Sequence, residues 1–249
     1  MPVGTGGGVA LLEVHRLSKA FGGLKALREV GFAAAEGEVL GVIGPNGSGK
    51  STLFNIIAGA LPPTSGTVAF AGEIITGRPP WEICRRGIGR TPQIPVLFPE
   101  LTCLENVLLG AAFGCRRRRL PVSLARQEAM AALETVGLAG LAAVPAPHLS
   151  LGQTKLLELA MALAASPRLL LLDEPTAGLS PVAVKGVLEV LRALRERGLT
   201  LLLIDHKLRV VSEVASRILA LDQGGIIAES SPAEVTRHPQ VLKAYLGEA

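Results

Sequence analysis

The sequence predicts an α/β fold built on a mostly parallel sheet, and three observations carry that expectation. The run Val39-Leu40-Gly41-Val42-Ile43 leads into the glycine-rich loop GPNGSGKST, residues 44–52, and then into the apolar pattern Leu53-Phe54-Asn55-Ile56-Ile57. Strand-length apolar runs at 169–172 and 199–204 are separated by helical periodicity over 182–197. A run that is apolar on both faces suits a strand covered on both sides, which is the condition inside a parallel sheet. Between these regions, 104–113 and 123–136 show helical spacing alone, with Ala125, Ala129, Ala132, Leu133 and Val136 on one side. A helical lobe therefore interrupts the strand–helix alternation.

At 249 residues the chain can bury a large core. Hydrophobic residues make up 49% and aromatics only 3%, so aliphatic side chains must carry the packing. No apolar run reaches the roughly 20 residues needed to span a bilayer, and no charged-then-apolar leader opens the sequence. The expectation is a protein that stays in the cytoplasm unless something holds it at a membrane. Cys84, Cys103 and Cys115 are widely spaced and odd in number. They read as reduced thiols rather than a disulfide framework or metal site. A net charge of +4 decides nothing alone.

Taken in order, 11–14 and 30–34 read as short strands, with Lys19-Ala20-Phe21-Gly22-Gly23 between them. Phe21 has two readings, a ring that stacks on an adenine or a plug at a sheet edge. Pro62 to Gly66 ends the helix after the glycine loop, 67–70 is a hairpin strand, 81–86 a short helix and 88–90 a strand followed by Gln93. Ser150 can cap a helix carrying Leu156, Leu159, Ala160 and Leu163. The strand 169–172 runs into Asp173-Glu174, a helix over 182–197 presents Val187, Val190, Leu191 and Leu194, and the strand at 200–204 runs into Asp205-His206. A hairpin around Gln223-Gly224-Gly225 and short helices at 232–238 and 241–246 complete the chain. Ligands of such sheets lie beyond the carboxyl ends of strands, where Gln93, Asp173, Glu174 and His206 fall.

The chemistry follows from residue types. Gly44, Gly47 and Gly49 permit backbone angles closed to other residues, so successive N–H groups of the loop, which also carries Pro45, Asn46, Ser48 and Thr52, can turn inward as an anion nest. The positive end of the next helix adds to that field. Lys50 can reach terminal phosphates and the Ser51 hydroxyl can ligate their magnesium ion. The loop predicts a nucleoside triphosphate ligand. Asp173 can hold magnesium through water, Glu174 can orient and deprotonate an attacking water, and His206 can contact a γ-phosphate.

With these residues in place, Leu149-Ser150-Leu151-Gly152-Gln153 resembles the signature motif of ABC ATPases. Phe21 resembles the A-loop aromatic and Gln93 the Q-loop glutamine. Residues 169–174 resemble Walker B with its catalytic glutamate, 177–180 the D-loop and His206 the switch histidine. The resemblance runs from about Leu11 to Leu246. More finely, Phe21 to Leu27, Phe98-Pro99-Glu100-Leu101-Thr102 with Glu105-Asn106-Val107, and Ala244-Tyr245-Leu246-Gly247 resemble ATP-binding subunits of branched-chain amino acid uptake transporters. Urea and amide importers and lipopolysaccharide-export ATPases share much of this pattern.

The resemblance implies a P-loop NTPase with a mostly parallel central sheet, an antiparallel β subdomain and an inserted α-helical subdomain at about 94–166, following a flexible N-terminus of residues 1–10. It implies ATP and Mg2+ as ligands, with Ser51, Gln93 and Asp173 toward the metal and Glu174, His206 and Gln93 in catalysis. It implies a dimer in which Ser150 and Gly152 meet the ATP of the facing chain, which is a second copy or a different ATPase subunit. Further expected partners are two transmembrane permease subunits and, indirectly, a solute-binding protein, at the cytoplasmic face of the membrane. A soluble ABC ATPase acting on nucleic acid or ribosomes is the reading from another class; long coiled coils or tandem cassettes, which it usually implies, are missing. Four positions depart from the pattern: Leu151 for the third signature residue, usually glycine, Ser180 for a frequent D-loop Asp, Lys207 for an acidic residue after the switch histidine, and Pro92 for Phe. Arg116 to Arg119 is either a solvated loop or a surface attracted to anionic lipid.

Overall fold

The computed structural model describes residues 10–91, 96–114 and 120–246. These residues fall into two compact units, one formed by the chain up to Ile83 together with the chain from Gly198 onward, the other by Cys84–Arg197.

The first unit begins with β1 (Ala10–Phe21) and β2 (Leu24–Ala35), twelve residues each and antiparallel across the two-residue turn Gly22-Gly23. Both are far longer than the sequence pattern suggests. The reason is local: the register shifts between Val14 and Leu17 and again before Lys19, and Arg16 and Glu29 adopt positive φ. Such bulges break the strict alternation by which a strand is read. β3 (Val39–Ile43) is buried at all five positions and leads through the glycine loop to α1 (Lys50–Ile57). β4 (Ser65–Phe70) and β5 (Glu73–Ile74) complete an antiparallel sheet in the order β2-β1-β4-β5, and α2 (Pro80–Arg85) follows.

In the second unit β6 (Ile88–Thr91) pairs in parallel with a later strand, in register from Ile88 opposite Leu169 to Thr91 opposite Leu172. Among the intervening described residues the regular elements are helical, α3 (Cys103–Phe113), α4 (Val122–Thr135), two short 3-10 turns and α5 (Leu151–Ala164), apart from one isolated bridge between Thr102 and Pro145. Asn106 explains how the chain enters α3. It is fully buried, accepts the Phe98 N–H at 2.8 Å, and donates to the carbonyls of Phe98, Leu101 and Thr102. The predicted apolar face of α4 is buried throughout. On α5 the buried face differs from the expected one: Leu157, Leu159 and Ala160 are joined by Lys155 and Glu158, while Leu156 and Leu163 are only half-buried. β7 (Leu169–Asp173) is buried end to end, and α6 (Pro181–Glu196) buries Val187, Leu188, Leu191 and Leu194. Leu188 takes the buried place expected of Val190, which is half-buried.

Back in the first unit, β8 (Thr200–Ile204), α7 (Leu208–Val214), β9 (Arg217–Asp222), β10 (Gly225–Ser230), α8 (Pro232–Val235) and α9 (Pro239–Leu246) follow in order. β3 lies between β8 and β9, parallel to both, and β10 returns antiparallel to β9. The β9–β10 turn is Gln223-Gly224, both at positive φ, as the twist of a two-residue hairpin requires. The core is aliphatic, as composition predicts: Phe54 and Phe70 are the only aromatics among the largest fully buried side chains of the described residues.

Candidate functional site

In the first unit the phosphate-binding candidates lie where β3 hands over to α1. Gly49 takes the N-cap position at φ 104 and no side chain caps the helix; no acidic residue occupies the first turn. A helix N-terminus with neither a side-chain cap nor an acidic residue in its first turn is suited to receive an anion. Gly49 cannot be replaced cheaply, since a Cβ would lie 2.5 Å from the Ala26 carbonyl oxygen. Lys50 Nζ donates to the Gly44 carbonyl at 2.7 Å and the Pro45 carbonyl at 2.8 Å. Those two bonds hold the ammonium over the loop it is predicted to serve. The β9–β10 turn buttresses the loop from behind: Gly224 N–H donates to the Ser48 carbonyl at 3.1 Å, and Arg28 N–H donates to the Gly224 carbonyl at 2.7 Å.

Phe21, at the end of β1, is 48% exposed, with Lys19 Nζ 5.1 Å from its ring centroid. The ring is therefore held half out of the core at the end of the β1–β2 pair, where its exposed face is open to a ligand. His206 follows β8 with a half-exposed side chain, its Nδ1 3.8 Å from an Asp205 carboxylate oxygen. Asp205 is fully buried, and the same oxygen accepts the Lys207 N–H at 2.9 Å. The buried carboxylate orients the segment that displays the histidine.

In the second unit Asp173 ends β7, almost wholly buried, and accepts a hydrogen bond from Arg90 Nη2 at 3.2 Å. Glu174 adopts φ 49, a left-handed conformation that costs a side-chain-bearing residue on the order of 1–2 kcal/mol. That turn takes Glu174 off the strand line, so the two consecutive carboxylates stand in different surroundings. Ser150 caps α5 through a reciprocal box: its hydroxyl accepts the Gln153 N–H at 3.4 Å, and Gln153 Oε1 accepts the Ser150 N–H at 2.9 Å. Gln153 is thereby assigned a local task, and Leu151 is exposed at the first turn. The close approach of α6 keeps Gly152 small, since a Cβ would lie 3.0 Å from the Ala183 side chain. Gln93, Pro92 and Arg116 to Arg119 lie outside the described residues.

Sequence reasoning missed three groups. Arg90 is in the sequence simply a strand position, although its place one strand over from Asp173 follows from the β6–β7 register. Lys155 and Glu158 form a buried pair, Nζ to Oε2 3.9 Å, in which Glu158 also accepts the Val96 N–H at 3.0 Å. Burial pushes the Glu158 carboxyl above the usual range, partly opposed by that N–H and by Lys155. Charges at helical spacing carry no periodicity signal that would reveal such burial. Tyr245 is in the sequence simply part of a terminal motif, yet its hydroxyl accepts the Gly44 N–H at 2.9 Å. Among the described residues no group of three or more His, Cys, Asp or Glu is arranged to hold a metal ion, and no helix is long and apolar enough to cross a membrane.

The ABC transporter family model matches residues 27–177, and the model described as branched-chain amino acid ATP-binding cassette transporter matches residues 226–249. The chain is 38% identical over 251 residues to the high-affinity branched-chain amino acid transport ATP-binding protein BraF of Pseudomonas aeruginosa, covering 96% of this chain and 98% of that one. It superposes with a TM-score of 0.88 on the ADP conformation of MJ1267, an ATP-binding cassette of an ABC transporter, at 34% identity over 96% of this chain and all of that one. The dimeric cassette MJ0796 in a post-hydrolysis state with ADP and Pi gives 0.78 at 31% identity, over 89% of this chain and 98% of that one. The chain belongs to the ABC transporter family, as an ATP-binding cassette bearing the C-terminal segment of the branched-chain amino acid transporters.

Proposed function

We propose that this chain is the ATP-hydrolysing subunit of an importer for branched-chain or related hydrophobic amino acids. The observation that carries the reading is similarity to BraF over nearly the whole length of both chains, joined to the family match at 226–249. In the same reading, Gly44 to Thr52 hold the phosphates and Phe21 stacks on the adenine. The uncapped α1 terminus and the anchored Lys50 support the first assignment. Magnesium, when bound with the nucleotide, neutralises phosphate charge; the Ser51 hydroxyl, the Asp173 carboxylate and the Gln93 amide are the hard oxygen donors that suit it.

Glu174 takes the general-base role: its carboxylate takes up a proton from water as the water oxygen bonds to the γ-phosphorus, the bond from that phosphorus to the β–γ bridging oxygen breaks, and ADP and inorganic phosphate are the products. His206 and Gln93 contact the γ-phosphate and the attacking water. The likeness to the dimeric MJ0796 cassette supports a two-chain arrangement. In it Leu149 to Gln153 of one chain face the ATP of the other, with Ser150, Gly152 and the α5 N-terminus toward the phosphates. The remaining partners in this reading are permease subunits at the cytoplasmic face of a membrane, which the ATPase drives as a peripheral subunit.

Two measurements test it. Uptake of labelled leucine, isoleucine, valine and urea is compared in cells with and without this gene; loss confined to the branched-chain amino acids supports the reading, and loss confined to urea overturns the solute. Glu174→Gln is expected to keep ATP binding and lower turnover by about 100-fold or more. Unchanged hydrolysis would take Glu174 out of the base role.

A further inference from the structure

Gly44, the first residue of the phosphate loop, is held from two directions. Its carbonyl oxygen accepts the Lys50 ammonium at 2.7 Å, and its N–H donates to the Tyr245 hydroxyl at 2.9 Å. Tyr245 is 201 positions away in sequence and sits near the end of α9. A partly buried backbone N–H at the end of a strand requires an acceptor, and here a phenol of the C-terminal helix supplies it. α9 packs against β10, and its Val241 side chain is buried. The phenol also feels the buried Asp205 that precedes His206: burial raises its pKa, the Gly44 N–H opposes the rise, and the Asp205 charge adds to it. One side chain therefore meets the phosphate loop and lies within electrostatic reach of the histidine segment.

We propose that Tyr245 is a positioning residue that ties the seating of the C-terminal helix to nucleotide binding, so that α9 is a nucleotide-responsive latch on the phosphate loop. The inference rests on the reading of residues 44–52 as the ATP loop. A nucleotide that settles Gly44 and Lys50 favours the seated helix, and a seated helix favours the nucleotide. Linkage makes the two effects equal in factor. Nothing in this arrangement asks Tyr245 to touch the nucleotide.

The test uses the full-length chain and its Y245F variant, which loses one oxygen and keeps the ring. ADP affinity is measured by titration, and hydrogen exchange is followed over residues 239–246 with and without ADP. The latch predicts an affinity about 5- to 30-fold weaker in Y245F, as expected when one partly buried N–H loses its acceptor. It also predicts that ADP slows exchange in α9 of the wild-type chain but not of Y245F. A tyrosine with a packing role alone lowers the melting temperature while leaving the affinity of the folded protein unchanged; that result overturns the proposal, as does exchange in α9 that ignores ADP. Lys50→Ala separates the two readings. If it binds ADP as the wild type does, the phosphate-loop reading falls and the latch with it. If it loses ADP while Y245F keeps wild-type affinity, only the latch falls.

Discussion

Phe21 exposes a large apolar ring and Glu174 holds a left-handed backbone, and each feature carries a stability cost. The Phe21 ring is half exposed at a hairpin end, where burying it would have gained about 1.5–3 kcal/mol. A ring held out of the core keeps its area for a flat partner, and base–aromatic stacking is worth about 1–3 kcal/mol. Phe21→Ala is therefore expected to weaken ATP by about 1 kcal/mol, roughly fivefold, and to leave the melting temperature almost unchanged. Titration of both proteins checks it; equal affinities would leave Phe21 as a hairpin-closing residue. Glu174 holds a left-handed backbone beside a strand end. Its neighbour Asp173 is buried beside Arg90, whereas Glu174 is only half-buried.

Among the elements, the capping boxes show how local hydrogen bonds set helix starts. At α3 the Thr102 hydroxyl accepts the Glu105 N–H at 3.2 Å, while Glu105 accepts the Thr102 N–H at 2.8 Å and its hydroxyl at 2.7 Å. The Thr102 N–H, and next its hydroxyl, hold the Glu105 carboxyl below the usual range. A carboxyl whose folded pKa is depressed contributes stability above its unfolded pKa and loses it as pH falls through the folded value. The stability difference between the wild type and Glu105→Gln is thus expected to favour the wild type at neutral pH and to shrink on acidification below the ordinary carboxylate range. Thermal melts of both proteins across that range measure it, and a difference that grows toward acid would refute the cap. Ser150 and Gln153 repeat the device at α5, which explains why a signature motif also reads as a helix start.

At the scale of the whole molecule, one unit is assembled from the two ends of the chain, and charged contacts help to join them. Arg217 on β9 pairs with Glu38 at 2.8 Å and with Glu229, and donates to the Ala33 carbonyl. Burial alone would lower the guanidinium pKa, but the pairing with Glu38 and Glu229 more than offsets it and the net shift is upward. Arg217→Met removes the charge and leaves two partly buried carboxylates without it. A loss of about 2–3 kcal/mol is expected, seen as a melting temperature lower by about 4–10 °C. A change below one degree would show the network to be solvent-screened.

The sequence by itself determined the α/β class, the buried runs of β3, β7 and β8, the amphipathic face of α4, the start of α5 and the glycine loop with its lysine. Each depends on neighbours within a few turns or strand positions, so period and spacing suffice to read it. The lengths of β1 and β2 were hidden because bulges erase alternation. The burial of Lys155 and Glu158 was hidden because a charged pair on an inner face looks like an outer one until its surroundings are known. The hold on Gly44 by Tyr245 was decided only by tertiary structure, since no local pattern relates a phenol on the last helix to a backbone N–H 201 positions earlier. Hydrophobic periodicity reports which face is covered; which donor meets which acceptor across the fold is settled when the strands and helices are in place.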